Sequence, residues 1–206
     1  MKSYLSSYRI PDQNKFASFV GKDINEIKFG LVLNSKDYKT VKEREEKLKE
    51  LIGYFSNLGL KVEEIDLREF FNNDGLEERL KQYDVIWFNG GNTYMLRSVI
   101  EKVGGVEKMV NILDKNNLVY GGDSAGAVMA GSTLKYFEEA DDPSVVSNVM
   151  YDSLNLIDFV ILPHWGSKEY GEAMVSIKNK LEKDNYKTIE LTDEEFVLVE
   201  NKKVIK

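Results

Sequence analysis

At 206 residues, 42% hydrophobic and 31% charged, the chain has room for one well-buried α/β domain and too little for two. A net charge of −7 argues against a nucleic-acid partner, and no apolar run approaches the ~20 residues of a membrane span. With no cysteine and one histidine, disulfides, thiolate chemistry and histidine-rich metal sites are excluded, and neither metal nor cofactor is expected.

Residues 3–8 alternate weakly and read as a first strand closed by Pro11, and residues 14–20 suit a short helix. The opening stretch lacks the apolar core and small-residue cleavage site of a secretory signal, so a cytoplasmic protein is expected. Residues 29–33 form a firmer strand. Thr40 and Glu43 then stand at capping-box spacing ahead of Leu48, Leu51, Ile52 and Phe55 at helical period, with Gly59 as the stop. The lysines and glutamates of that helix read as a solvated face. Residues 61–67 predict a third strand, 76–81 a short helix, and 84–88 a more apolar strand.

That strand runs into a glycine turn, Asn89-Gly90-Gly91-Asn92-Thr93, followed by helices over 93–102 and about 106–113. Next comes the stretch that organises the chain, LVYGGDSAGAVMAG. Leu118 to Tyr120 read as a buried strand, Gly121 to Gly126 as a sharp turn with Ser124 at its apex, and Ala127 onward as a buried helix start. This is the context of a G-x-S-x-G nucleophile elbow, where small residues two before and two after the serine relieve a strained turn. Glycine-rich turns of this kind also bind phosphate or merely turn, so the nucleophile reading depends on a base and an acid supplied elsewhere.

After a turn at 141–144, residues 156–162 predict a buried strand ending in Pro163-His164-Trp165-Gly166. A helix over about 167–183, a strand at 188–191 and a closing hairpin at 196–199 and 203–205 complete the chain. Strands separated by helices predict a mostly parallel sheet with helices on both faces, in a single domain spanning 1–206. In such folds sites gather at the carboxyl ends of strands, where both glycine turns fall.

A serine hydroxyl needs a base within hydrogen-bond reach, and His164 is the one histidine, at a strand end on what reads as the same sheet edge. Asp193, with Glu194 and Glu195 beside it, could orient the imidazole from the next strand end; spacing does not choose among the three. The N–H groups of Gly91 and Ala125 are candidates for an oxyanion hole, and Asn92 or Thr93 could equally cap the next helix.

Taken together, the Phe88–Thr93 glycine motif, Gly122-Asp123-Ser124-Ala125-Gly126-Ala127, the Pro163-His164 strand end and the late strand-plus-acid resemble the dipeptidase E family of serine peptidases. Aspartyl dipeptidases belong to it, cyanophycinases are relatives, and its fold is similar to class I glutamine amidotransferases and flavodoxin-like proteins. The resemblance covers nearly the whole chain. It implies nucleophile, base and acid at Ser124, His164 and Asp193, with Glu194 in reserve because the family's acid is often glutamate. It also implies a small peptide substrate, contacted by Asn92 and Thr93, and a homodimer is compatible with it. Aspartate-specific members carry an arginine beyond the histidine; here none follows Arg97, and Lys168 and Lys178 are the nearby cations. The resemblance therefore does not extend to a preference for aspartate. Two rivals are an α/β-hydrolase-type esterase or amidase, whose acid would be Asp141, Asp142, Asp152 or Asp158, and a non-catalytic module binding a small ligand.

Overall fold

Along β4 (Val85–Phe88) and β5 (Val119–Asp123), successive side chains enter two separate apolar layers. Val85, Trp87 and Val119 pack with Phe16 of α1 (Gln13–Val20) and with Leu51 and Phe55 of α2 (Val41–Asn57). Ile86, Phe88 and Tyr120 pack with Leu96 and Ile100 of α4 (Thr93–Lys102) and with Met109 and Leu113 of α5 (Gly105–Lys115). The same layer takes Leu76 and Leu80 of α3 (Leu76–Leu80), and Met174 and Ile177 of α7 (Gly171–Lys183). Because helices cover both faces, these strands read as continuous apolar runs. Trp87 is fully buried, with ring centroids of Tyr4, Phe16, Phe29 and Phe55 between 5.6 and 6.1 Å from its own.

This computed structural model describes residues 1–205. Its main sheet has seven strands, in the order β3 (Lys61–Glu64), β2 (Lys28–Val32), β4, β5, β1 (Lys2–Ser6), β8 (Phe196–Glu200) and β9 (Lys203–Val204). The first five are mutually parallel, and β8 is antiparallel to both β1 and β9. The α/β architecture is the expected one. The Thr40–Glu43 capping box is present, and Gly59 (φ +97°) lies two residues beyond the end of α2. Among the described residues no helix is long and apolar enough to cross a membrane.

The structure departs from the sequence expectations at three places. The expected strand at 156–162 is only β6 (Val160–Leu162), and it pairs with β7 (Thr188–Glu190) in a separate two-stranded parallel sheet. Residues 154–157 instead return N–H groups to the carbonyls of Met129, Ala130 and Gly131 at the end of α6 (Ala125–Met129). A five-residue helix leaves those carbonyls without partners, and this segment satisfies them while burying Leu154, Leu156 and Ile157. The expected strand at 61–67 stops at Glu64, and Leu67–Phe70 form a 3-10 turn. Finally, α7 starts at Gly171, because Ser167 makes a local turn in which its Oγ accepts the Tyr170 N–H at 3.1 Å.

One loop at the carboxyl edge is pinned by charge. The Asn34 side chain donates to Asp37 and Asp66 (2.8 and 3.0 Å), and Arg68 clamps Asp66. Burial alone would raise the Asp66 pKa, but the hydrogen bonds from Arg68 and Asn34 outweigh it and hold the carboxyl down at about 2. The associated stability is complete above the unfolded value of about 3.9 and is lost as pH falls through about 2. We expect this group to contribute roughly 2 kcal/mol of the loss on acidification. Urea midpoints measured from about pH 5 to 2 should shift less in Asp66→Asn than in the parent.

Candidate active site

The carboxyl ends of β2, β4, β5 and β1 meet along one edge and line a cleft of about 800 Å³. Ser124 sits there between β5 and α6 with φ 49° and ψ −117°, a conformation that costs a non-glycine residue about 1–3 kcal/mol. The surroundings over-determine it. Its N–H donates to the carbonyls of Ser6 (3.2 Å) and Ser7 (3.1 Å) at the end of β1. A Cβ on Gly126 would lie 1.8 Å from the Phe88 carbonyl oxygen, and one on Gly122 would lie 2.6 Å from the Gly126 carbonyl carbon. Strand, turn and helix can pass this closely only without side chains at those two positions.

His164 follows β6, and Asp193 lies on the loop between β7 and β8. The imidazole Nε2 is 2.9 Å from Ser124 Oγ, and Nδ1 is 2.6 Å from Asp193 Oδ1. The structure thus brings together the three side chains singled out from the sequence, but not on one sheet: the expectation that His164 shares the sheet edge of Ser124 is corrected. The smaller sheet delivers it, since β6 has no place in the main ladder. Ser7, fully buried at the end of β1, joins the two sheets. Its Oγ accepts the His164 N–H at 2.7 Å and donates to Asp193 Oδ1 at 2.8 Å.

The other carboxylates considered from the sequence are engaged elsewhere. Asp152 pairs with Arg97 (2.7 Å), Asp158 with Lys202 (2.7 Å), and Asp142 accepts the Ser144 N–H (2.8 Å). Asp141 accepts from the N–H and hydroxyl of Thr93. Glu194 is exposed, and the partner at His164 Nδ1 is Asp193. Asn92 and Thr93 both line the cleft, with their polar atoms already occupied: Asn92 Oδ1 caps α4 at Met95 (2.9 Å) and its Nδ2 donates to the Asp142 carbonyl (2.8 Å). Lys178 pairs with Glu190 at 2.6 Å, and Lys168 lines the cleft exposed to solvent.

The Gly90–Gly91 turn is held from both sides. Ser35 Oγ donates to the carbonyls of Asn89 (2.8 Å) and Gly90 (3.0 Å), while the Ser35 carbonyl accepts from Asn92 N (2.9 Å). A Cβ on Gly91 would lie 2.7 Å from that carbonyl oxygen. On the other side the buried Asp123 carboxylate accepts from Trp87 Nε1 (2.7 Å), Asn89 Nδ2 (2.9 Å) and Gly90 N (3.3 Å). Burial pushes its pKa up against those donors. The N–H groups of Gly91 and Ala125 have no acceptor among the described residues, and both residues line the cleft, so two backbone donors remain available there. Among the described residues no three histidine or acidic side chains converge as a metal site.

Three residues that sequence reasoning missed shape this site: Ser7, Asp123 and Lys36. Each stands at or just beyond a strand's carboxyl end, which is the signal that could have found them. Lys36, in the 3-10 turn after β2, is half-buried in the cleft; desolvation lowers its pKa to about 8.

Residues 38–206 match the model of peptidase family S51. An uncharacterized peptidase of Listeria innocua is 30% identical over 152 residues, covering 72% of this chain and 70% of that protein. Peptidase E of Streptomyces coelicolor is 27% identical over 147 residues, covering 68% of this chain and 59% of the relative's length. In three dimensions the chain is similar to a "Putative Peptidase E Protein" from Listeria monocytogenes EGD-e, with a TM-score of 0.78 at 24% identity over 99% of this chain and 96% of the other. At that identity the structural likeness speaks for the fold.

Proposed function

Because the chain belongs to peptidase family S51, we propose that it is a serine peptidase that hydrolyses small peptides through an acyl-enzyme, the described chain working as one catalytic domain. The observation that carries this reading is the continuous line from Ser124 Oγ through His164 to Asp193, at 2.9 and 2.6 Å. Asp193 accepts a hydrogen bond from Nδ1–H, which leaves the Nε2 lone pair facing the serine hydroxyl. As Ser124 Oγ attacks the scissile carbonyl, His164 takes its proton, and the resulting imidazolium lies against the Asp193 carboxylate. The N–H groups of Gly91 and Ala125 receive the charge that develops on the carbonyl oxygen. His164 then donates its proton to the departing amine, and water reverses the sequence to release the acid. The strained backbone at Ser124 supports the same reading, because strain of this kind persists where a side chain must be held at a fixed point.

A fluorophosphonate probe tests the assignment directly. The native protein should be modified at Ser124, with labelling lost in Ser124→Ala and strongly reduced in His164→Gln. A protein that stays unlabelled has no activated serine, and the glycine turns would then serve only to bind a ligand. Ser7 positions both partners without touching substrate. Ser7→Ala should lower kcat about tenfold with KM within about twofold, as expected for an interaction that matters mainly in the transition state. A KM effect with kcat preserved would contradict that role.

A further inference from the structure

The cleft contains a cation that the catalytic reading leaves unused. Four other basic side chains line its wall, and three of them have partners. Arg9 and Lys47 engage Glu50, and Lys39 lies over the Tyr38 ring at 5.3 Å. Lys168 projects into solvent. Lys36 combines two features that none of the four shows together: it is half-buried, and its ammonium has no hydrogen-bond or ion-pair partner among the described residues. A partly desolvated charge with no counter-ion in contact is costly, and such a group is relieved when an anion enters beside it.

Its place on the edge says which part of a ligand it would meet. Lys36 follows β2, Gly90 and Gly91 follow β4, Ser124 follows β5 and Ser7 follows β1, so these groups line up in sheet order. His164 approaches Ser124 from the Ser7 side. Lys36 lies on the other side, beyond the glycine turn. Neighbouring strands are about 4.8 Å apart, which puts the Lys36 and Ser124 backbones roughly two strand spacings from each other. The Lys36 turn is rigid, being tied to the glycine turn through Ser35 and pinned by Asn34 to Asp37 and Asp66.

We propose that Lys36 is a specificity-determining residue of this cleft, its ammonium receiving a carboxylate of the peptide substrate. The proposal rests on the peptidase reading for the substrate class, and on the unpartnered cation for the contact. The carboxylate has two sources, an acidic side chain on the first residue or the peptide's own C-terminus. The lowered pKa adds a signature: the ammonium discharges as pH rises through about 8, so its contact with a carboxylate weakens there. The charged groups acting on it are Asp123 beside the glycine turn, Asp141 across the cleft, Lys39 on the flanking turn and Lys47 on α2.

Calorimetry on the Ser124→Ala protein, which reads binding without turnover, separates the possibilities with Asp-Leu, Asn-Leu and Asn-Leu amide. The first two peptides differ only in the side-chain carboxylate, the last two only in the terminal one. In one pair the carboxylate-bearing member should bind at least about tenfold tighter, a gap typical of a charge-assisted contact. Adding Lys36→Met should close that gap to within about twofold, whereas Lys36→Arg should keep it. Which pair shows the gap identifies the carboxylate. Between about pH 7 and 9.5 the gap should shrink with lysine and persist with arginine, which does not discharge there; this comparison also serves if Lys36→Met fails to fold. No gap in either pair, a gap insensitive to Lys36→Met, or an equal weakening of all three peptides overturns the proposal. Discrimination by a protein that the fluorophosphonate probe never labels would defeat the peptidase reading and leave this contact standing.

Discussion

Replacing Ser124 with alanine should lower kcat for small peptides by at least about 10³-fold while the protein still folds. The reasons are local and specific. Ser124 Oγ is the atom 2.9 Å from His164 Nε2, so under the proposed mechanism its removal leaves the imidazole with no proton to take and the substrate carbonyl with no nucleophile. Little else changes, because the elbow backbone is held by Ser6 and Ser7 carbonyls and by the close approach of Gly126 to Phe88, none of which involves the serine side chain. Alanine inherits the strain at φ 49°, whereas glycine does not. Ser124→Gly should therefore be equally inactive and more stable than Ser124→Ala by about 1 kcal/mol. Steady-state hydrolysis of X-Leu dipeptides and thermal melts of the three proteins check both halves. Wild-type turnover in Ser124→Ala would remove the mechanism altogether.

The largest stability effect should come from the glycine two residues on. In Gly126→Ala the new methyl would stand 1.8 Å from the Phe88 carbonyl oxygen and 2.7 Å from its carbon. Both are backbone atoms at the end of a central strand, so no rotamer change makes room. Either α6 lifts off the sheet or β4 shifts, and β4 carries the Gly90–Gly91 turn. Overpacking against backbone in a dense core should cost at least about 3 kcal/mol, or roughly 6–12 °C in Tm for a chain of this size. Peptide hydrolysis should fall with it even below the new Tm, because the Gly90–Gly91 turn packs directly against Ser124 and would move with β4. Gly53→Ala is the matched control. Gly53 lies exposed within α2 with nothing within 4 Å of a new Cβ, and alanine there should be neutral or stabilising by up to about 1 kcal/mol. Equal melting temperatures for the two variants would refute the steric account of the elbow.

Several features were legible along the chain because their causes are local. The spacing Gly122-x-Ser124-x-Gly126 follows from sterics within five residues, and the structure shows the contacts that demand it. The Thr40–Glu43 capping box likewise involves only neighbouring residues. The layers over β4 and β5 follow from apolar runs too long and uniform for a half-exposed sheet. His164 could be singled out because the chain has no other imidazole.

What the sequence could not decide is how separate segments meet. Asp193 and Glu194 are chemically similar neighbours, and only the path of the loop between β7 and β8 turns one toward His164 Nδ1 and the other outward. The apolar run at 156–162 announced burial but not a partner, and the pairing of β6 with β7 instead of the main ladder depends on contacts between residues far apart in the chain. Ser7 is one serine among many, and it matters because His164 N–H and Asp193 Oδ1 both arrive within 2.8 Å of its hydroxyl. Lys36 is one of 28 lysines and arginines, distinguished by partial burial together with an absence of partners among the described residues, which no local pattern encodes. Sequence by itself determined the elbow, the strand–helix alternation and the chemical types on offer, because these depend on neighbouring residues and on period. Tertiary structure decided which acid, which serine and which cation stand at the cleft, because that is a matter of distance between segments up to 186 residues apart.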